Sequence, residues 1–292
     1  MRLRTLLGDH PCTAALKNGS AESDLVKSDL VTFDFANYSP TNKGFKPMVR
    51  DQAFDVSEMA IVTYLMAKTY DKPMVLLPAV VMGRFQHRHA LYNAERGRLS
   101  PSNLMGKRVG IRSFTTTTGA WVRGILANDH GVDLNRIEWV SFEEPHVAEY
   151  KDLTVRAAAD KNIVEMLLDG ELDAVIGETS TDPRLKPLFP DPDMEANTWY
   201  AKHRVVPVNH FVVVSKALHD SDPEAVREIY RLLKRAKELA ALPVSEPDSN
   251  PFGIEAIRPS LELIIAYAAQ QNLIPRRLAV EELFSDLTLR LD

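Results

Sequence analysis

The segment Phe114-Thr115-Thr116-Thr117-Thr118-Gly119-Ala120-Trp121 joins an apolar run to a stretch of helical spacing. Such a turn offers unpaired backbone N–H groups, threonine hydroxyls and the positive end of a helix dipole, all of which favour an anion. Gly119 permits close approach. Thr117, Thr118, Gly119 and Trp121 are therefore candidate binding residues, with a threonine cap carrying spare surface hydroxyls as the structural alternative. Phosphate and carboxylate are not separated here, since no lysine follows in P-loop fashion. Arg123, two residues past Trp121, reaches the same site or pairs with a nearby acid.

Three further clusters could carry chemistry. Ser57-Glu58 opens a helical pattern, so Glu58 either complements the helix dipole or, in a cleft, orients a hydroxyl or shuttles a proton. Arg84-Phe85-Gln86-His87-Arg88-His89 follows an apolar strand. If extended, it points His87 and His89 one way and Arg88 the other. Two histidines without a matched third ligand are a weak zinc pattern, and no metal site is expected. Carboxylate binding by an arginine or histidine of this segment and a solvated turn are the competing readings. Asn209-His210 begins a valine-rich run, where His210 either faces a cleft with a proton-transfer group or is structural. Glu178, at the carboxyl end of Asp173–Gly177, and His146, in a loop after a strand, are further cleft candidates. Cys12, the single cysteine, reads as a small buried residue and excludes an internal disulfide. No GxSxG, HExxH, GxGxxG or CxxC pattern occurs, so hydrolase, zinc-protease and dinucleotide-enzyme readings lack support.

These residues need elements to position them. Strands are expected at Leu3–Gly8, Leu30–Phe35, Met74–Val81, Lys107–Arg112, Arg136–Phe142, Asp173–Gly177 and His210–Ser215. Helices are expected at Ser57–Tyr70, with Ser57 as N-cap, at Thr117–His130, Asn162–Leu168, Asp222–Leu239 and Ser260–Gln271. Leu242–Pro259, rich in Pro, Ser and Asp, reads as a loop. Alternating strands and helices predict an α/β fold with a mostly parallel sheet. The middle block is a self-contained α/β unit, and the first strands lack covering helices until the helical tail supplies them. The expectation is two lobes, residues 1–86 plus 214–292 and residues 87–213, with a ligand cleft between them.

Composition sets the class. The chain has 292 residues, 45% hydrophobic and 26% charged, with a formal net charge of -5. That charge, with basic residues scattered among acids, excludes a nucleic-acid surface. No apolar stretch approaches the roughly 20 residues that cross a bilayer. The opening MRLRTLLGDHPC is too short in apolar residues for a secretory h-region, so a cytoplasmic protein is expected. The expected partner is a small-molecule carboxylate, with no nucleic acid and no membrane; a homo-oligomer is compatible with the sequence.

Several of these motifs resemble one family. Phe54-Asp55-Val56-Ser57-Glu58-Met59 and Tyr64-Leu65-Met66-Ala67 resemble the FDVSEM–SxYL segment of the 4,5-dihydroxyphthalate decarboxylase-like family. Arg88-His89 with Tyr92 resembles its FRHSAIYV segment. Gly106 to Gly110, then Thr117, Trp121, Arg123, Gly124 and Leu126, resemble its GKRVG–TAxxWxRGxL stretch. His210 fits its MH step, and Tyr267, Gln270, Gln271 and Glu281-Glu282-Leu283-Phe284 resemble its closing segments. The resemblance covers nearly the whole chain. It implies a type II periplasmic-binding-protein-like fold with a central cleft. The implied reaction is a cofactor-independent decarboxylation of a hydroxylated aromatic acid such as 4,5-dihydroxyphthalate, giving protocatechuate and CO2. The family's GDYD is here Gly8-Asp9-His10-Pro11, which would place His10 at the cleft. Within that reading the retained carboxylate falls to the Thr117/Thr118 helix end with Arg88 or Arg123. Proton transfer falls to His89 or His210, and ring-hydroxyl orientation to Glu58. A non-catalytic carboxylate-binding protein of the same fold is the alternative.

Overall fold

A computed structural model describes residues 1–17, 26–152, 154–240 and 247–292. Apolar runs assemble into two sheets. The first holds β1 (Arg2–Leu6), β2 (Thr32–Phe35), β3 (Val56–Ala60), β4 (Met74–Gly83) and, from far along the chain, β11 (Val208–Ser215). Their order is β2-β1-β3-β11-β4. The second holds β5 (Ala90–Asn93), β6 (Arg108–Ile111), β7 (Glu138–Ser141), β8 (Val155–Arg156), β9 (Ala174–Ile176) and β10 (Leu185–Pro187), ordered β10-β5-β9-β6-β7-β8. The chain crosses between the sheets after β4 and returns just before β11.

Both sheets are mixed, which corrects the mostly parallel expectation. β11 runs antiparallel to both β3 and β4, and β5 runs antiparallel to β9 and β10. The reason is topological: the strand that returns from the second sheet enters the first from the opposite end.

The helices are α1 (Ala14–Lys17), α2 (Phe45–Asp51), α3 (Ile61–Thr69), α4 (Thr117–Asp129), α5 (Ile163–Asp169), α6 (Pro192–His203), α7 (Lys216–Ser221), α8 (Pro223–Leu239) and α9 (Ile254–Gln270). α8 follows the sequence closely. Asp222 accepts the Ala225 N–H, Pro223 sits in the first turn, and Val226, Ile229, Leu233 and Ala236 bury against the first sheet. α5 likewise has Asn162 as its cap and ends at Gly170 in the left-handed region, φ 78°.

Two element boundaries differ from expectation. Ser57 is no N-cap: Val56–Ala60 is strand β3, and the helix starts only at Ile61. Val56 and Ser57 pair with β1 on one side, and β3 pairs along its length with β11 on the other. Ladder bonds on both edges override the helical spacing of Met59, Val62 and Met66. The expected loop over 242–259 is also shorter. Residues 242–246 lie outside the described residues, and Ile254–Pro259 belong to α9. Pro259 lies inside that helix, where Ser260 anchors it: its Oγ donates to Val206 O at 2.9 Å and accepts Val208 N–H at 3.2 Å.

One apolar core joins the two sheets, with Leu65 of α3, Trp121 and Ile125 of α4, Ile176, Phe211 and Ile264 in a single cluster. α9 packs on α3 and α4. Gly124 makes that contact possible, because a Cβ there would stand 2.0 Å from the Tyr267 ring. Among the described residues no helix is long and apolar enough to cross a membrane.

Candidate functional site

Glu58 is the centre of the site. It lies on β3, is 1% exposed, and has polar groups around its carboxylate. Gly8 N–H donates to Oε2 at 2.7 Å. His10 Nε2 lies 2.9 Å from Oε1 and 3.0 Å from Oε2, and His210 Nδ1 lies 2.6 Å from Oε1. The pairing of β11 with β3 sets this up, placing His210 opposite Ala60 and Val212 opposite Glu58. Burial pushes the Glu58 pKa upward, but hydrogen bonds and charge from the two histidines outweigh it and hold the carboxyl well below the usual range. An ionised carboxylate only accepts, so both imidazoles donate to it. His210 therefore carries a proton on Nδ1, and its other nitrogen, Nε2, has no partner among the described residues. Phe45 fixes the ring edge-on, with centroids 5.1 Å apart.

His210 lines a cleft of about 330 Å³ between the sheets, within the size range of small-ligand sites. Phe45, Thr63 and Arg84 line it from the first sheet's side; Arg112, Thr116 to Thr118, His146 and Glu178 line it from the second's. Two larger surface hollows, of about 930 and 630 Å³, do not share these groups.

The start of α4 faces the cleft. Ala120 N–H bonds to Thr116 O at 2.9 Å, while the N–H groups of Thr117, Thr118 and Gly119 have no acceptor among the described residues. The two hydroxyls of Thr117 and Thr118 act as acceptors, which leaves each O–H free to donate. Thr117 Oγ1 accepts Val62 N–H at 3.1 Å, and Thr118 Oγ1 accepts from Asn209 Nδ2 at 3.3 Å. The anion-favouring features are thus the amide row, the dipole and these two O–H donors, while the bonds the hydroxyls accept tie α4 to α3 and β11.

Arg84, at the head of the 84–89 segment singled out from the sequence, and Arg112, which was not singled out, add positive charge. Arg84 reaches into open cleft yet is flanked closely enough that desolvation lowers its pKa, and no carboxylate pairs with it among the described residues. Arg112 pairs loosely with Glu143, at 3.9 Å, and also lies near Glu178. Arg112 directly follows β6, the strand that leads into the threonines, a strand-end signal available in the sequence. Arg84 carries the same kind of signal, directly following β4, but which arginine of the 84–89 segment faces the cleft depends on where the second sheet sits. His146 bonds through Nδ1 to Thr63 Oγ1 at 2.9 Å; burial first, then Arg112, Lys46 and Arg50, lower its pKa to about 4, so it is neutral. Burial raises the pKa of Glu178, an effect Arg112 opposes and Glu143 adds to.

Other expected site residues sit elsewhere. Residues 87–89 form a 3-10 turn rather than an extended segment. Arg88 turns outward and pairs with Asp193 through Nε at 3.0 Å, so it does not reach the cleft. His89 is 8% exposed and does not line the cleft; burial, then Arg84 and Arg88, lower its pKa to about 4. Arg123 does not line the cleft and pairs with no acid among the described residues. It is wholly buried, donating to Gln271 Oε1 at 2.8 Å and Phe114 O at 2.7 Å and stacking on the Phe114 ring. Burial lowers its pKa to about 9. Trp121 is core, with Nε1 donating to Val208 O at 2.9 Å. A Cβ on Gly119 would meet Ile111 Cδ1 at 2.3 Å, so that glycine serves packing. Ser57 Oγ is spent on Glu58 O at 2.7 Å.

No protein-family profile matches the chain. It is 28% identical over 228 residues to the 4,5-dihydroxyphthalate decarboxylase of Comamonas testosteroni, covering 73% of this chain and 69% of that protein. Over 167 residues it is 28% identical to the 4,5-dihydroxyphthalate decarboxylase of Pseudomonas putida, covering 52% and 65%. Among solved structures it is similar to the alkanesulfonate-binding protein SsuA of Xanthomonas axonopodis pv. citri bound to MOPS. That match has TM-score 0.55 at 14% identity over 97% and 98% of the two chains. The periplasmic aliphatic sulphonate binding protein SsuA of Escherichia coli matches at TM-score 0.57 and 11% identity over 98% and 92%. The desulfurization enzyme DSZB matches at TM-score 0.56 and 13% identity over 98% and 97%. At such identities the likeness is one of fold, and the fold is the periplasmic-binding-protein-like one expected from the sequence.

Proposed function

We propose that this relative of the 4,5-dihydroxyphthalate decarboxylases is itself a carboxy-lyase. Its substrate would be a hydroxylated aromatic acid such as 4,5-dihydroxyphthalate, its products protocatechuate and CO2, and no organic cofactor would take part. One observation carries the reading: a carboxylate-backed histidine faces the same small cleft as a free amide row and two cleft-facing arginines.

The chemistry follows from charge flow. Breaking the ring–carboxylate bond leaves an electron pair on the ring carbon, which must take a proton. A hydroxyl para to that carbon feeds electrons in when its proton leaves. His210 Nε2 is the group that receives the hydroxyl proton, with Glu58 stabilising the imidazolium through Nδ1–H. Glu178, whose carboxyl burial raises in pKa, supplies a proton to the carbon. The retained carboxylate sits on the amides of Thr117, Thr118 and Gly119 and between Arg84 and Arg112. Excluding water from the departing carboxylate favours its loss as neutral CO2.

The test is CO2 and protocatechuate release from 4,5-dihydroxyphthalate by wild type and His210→Ala. Wild type should turn over, and H210A should lose about 10²- to 10⁴-fold in kcat, the usual range for a general acid–base group. A thermal shift with the acid but no CO2 from wild type would favour the second reading, a carboxylate-binding protein without turnover. The solute-binding proteins among the fold neighbours lend that reading support.

A further inference from the structure

The group His10, Glu58 and His210 has a composition that hydrogen bonding does not require. One ligand-capable atom from each lies within 4.8 Å of the others. Two imidazole nitrogens and one carboxylate oxygen are the donor set of many three-ligand transition-metal sites. We infer that these three residues form a binding site for a first-row divalent cation of the zinc class.

The surroundings are those of a metal site. Glu58 is 1% exposed, and Gly8 N–H holds Oε2 at 2.7 Å, leaving Oε1 between the two rings. Such a bond to the far carboxylate oxygen is the outer-shell support that orients a ligand. The His10 backbone N–H donates to Thr13 Oγ1 at 3.2 Å, which pins the turn carrying the ring. Phe45 packs edge-on against the His210 ring. The nitrogen–oxygen separations of 2.6 to 3.0 Å are those of shared protons. Ligands about 2.0–2.2 Å from a tetrahedral zinc ion stand roughly 3.3 Å apart, so a half-ångström spread of the three side chains admits the ion. Nitrogen donors disfavour magnesium and calcium, which prefer oxygen. Three protein ligands leave a fourth position for water.

The cation and the protons compete for the same lone pairs, and this has a chemical consequence. With a metal on Nδ1, neutral His210 must carry its proton on Nε2, the nitrogen on the far side of the ring from Glu58. The ring then donates a hydrogen bond instead of accepting a proton. Metal loading would convert the proposed base into a donor and so slow any reaction that needs the base.

The test uses the full chain, stripped with chelator, and Zn²⁺ as the probe, with binding read by equilibrium dialysis with elemental analysis. Wild type should take one Zn²⁺ per chain, with Mg²⁺ failing to compete. His10→Ala and His210→Ala should each weaken binding by at least about ten-fold, the loss expected even for a supporting group. His219→Ala, at a histidine bonded to Ser285 and Asp220 away from the site, should bind as wild type does. His10 is partly exposed, so H10A should fold, and melting curves of each apo variant separate lost binding from lost structure. No stoichiometric binding, or binding unchanged in either histidine variant, overturns the inference. The readout is binding alone, so it stands or falls separately from decarboxylation.

Discussion

Arg84 carries a charge that no described carboxylate neutralises, at the mouth of a cleft in a protein of net charge -5. An arginine without a partner contributes little to folding and is available to an anion. Replacing it by alanine should leave the melting temperature nearly unchanged and raise KM for a carboxylate substrate about ten-fold or more, the loss expected of a charge-assisted hydrogen bond of roughly 1.5–3 kcal/mol. An unchanged KM would remove Arg84 from the site. Contrast Arg123, equally cationic and on the helix that bounds the cleft, but sealed behind Phe114 and Gln271. Sequence spacing favoured Arg123 and Arg88 because they sit near recognisable motifs. What separates them from Arg84 is which side of a helix or turn faces the second sheet, and that is a tertiary fact. His210, Glu178 and Thr117–Thr118 were legible because strand ends and helix starts are marked locally, whereas Glu58 was singled out through a helix start that is strand β3 in the structure. That Glu58 and His210 touch was not legible, since 152 positions separate them.

Among the elements, α4 has the most demands on it. Its first turn faces the cleft, its middle fills the shared core, and its back packs on α9. Gly124 is the point where these demands meet. A methyl there would stand 2.0 Å from the Tyr267 ring, which is itself 4% exposed and cannot swing clear. Gly124→Ala should therefore destabilise by roughly 1–3 kcal/mol despite alanine's better helix propensity. A melting temperature at or above that of wild type would show that the two helices slide apart without cost. The helix itself was readable from Thr117 to His130, and its end at Asp129 is close to that. β3 was not readable, because the apolar spacing of Met59, Val62 and Met66 continues from strand into helix without a break. α6 went unread as well: its sequence is polar, with only Ala196 and Trp199 buried, so it has little apolar stripe to find.

For the whole molecule, three desolvated histidines set the response to acid, two of them buried and one, His146, half-buried at the cleft. Burial is the leading cause that lowers His87, His89 and His146 from their ordinary value of 6.5 to about 4. Unfolded, each takes up a proton below about pH 6.5; folded, none does until about pH 4. The unfolded state binds more protons across that window, so stability falls as pH drops through it. Glu58 acts lower: its contribution is complete above the ordinary carboxylate pKa of 4.5 and is lost only on acidification below that. Melting temperature should thus decline from about pH 6.5 downward, and His87→Phe, which keeps a ring against Phe189 and Trp199, should flatten the slope. A wild-type melting temperature constant from pH 6.5 to 4.5 would contradict this account.

The position of β11 has a consequence for synthesis. It is the inner strand that joins β3 to β4, yet it is the last strand of either sheet to be made. Until Val208–Ser215 leaves the ribosome, the nascent chain holds two open strand edges flanking an empty slot, and Glu58 lacks one of its two imidazoles. The second sheet, by contrast, is encoded without interruption and can finish first. The order of translation therefore leaves a growing chain exposed to strand-addition errors for more than a hundred residues, and completes its chemistry with the stroke that closes those edges.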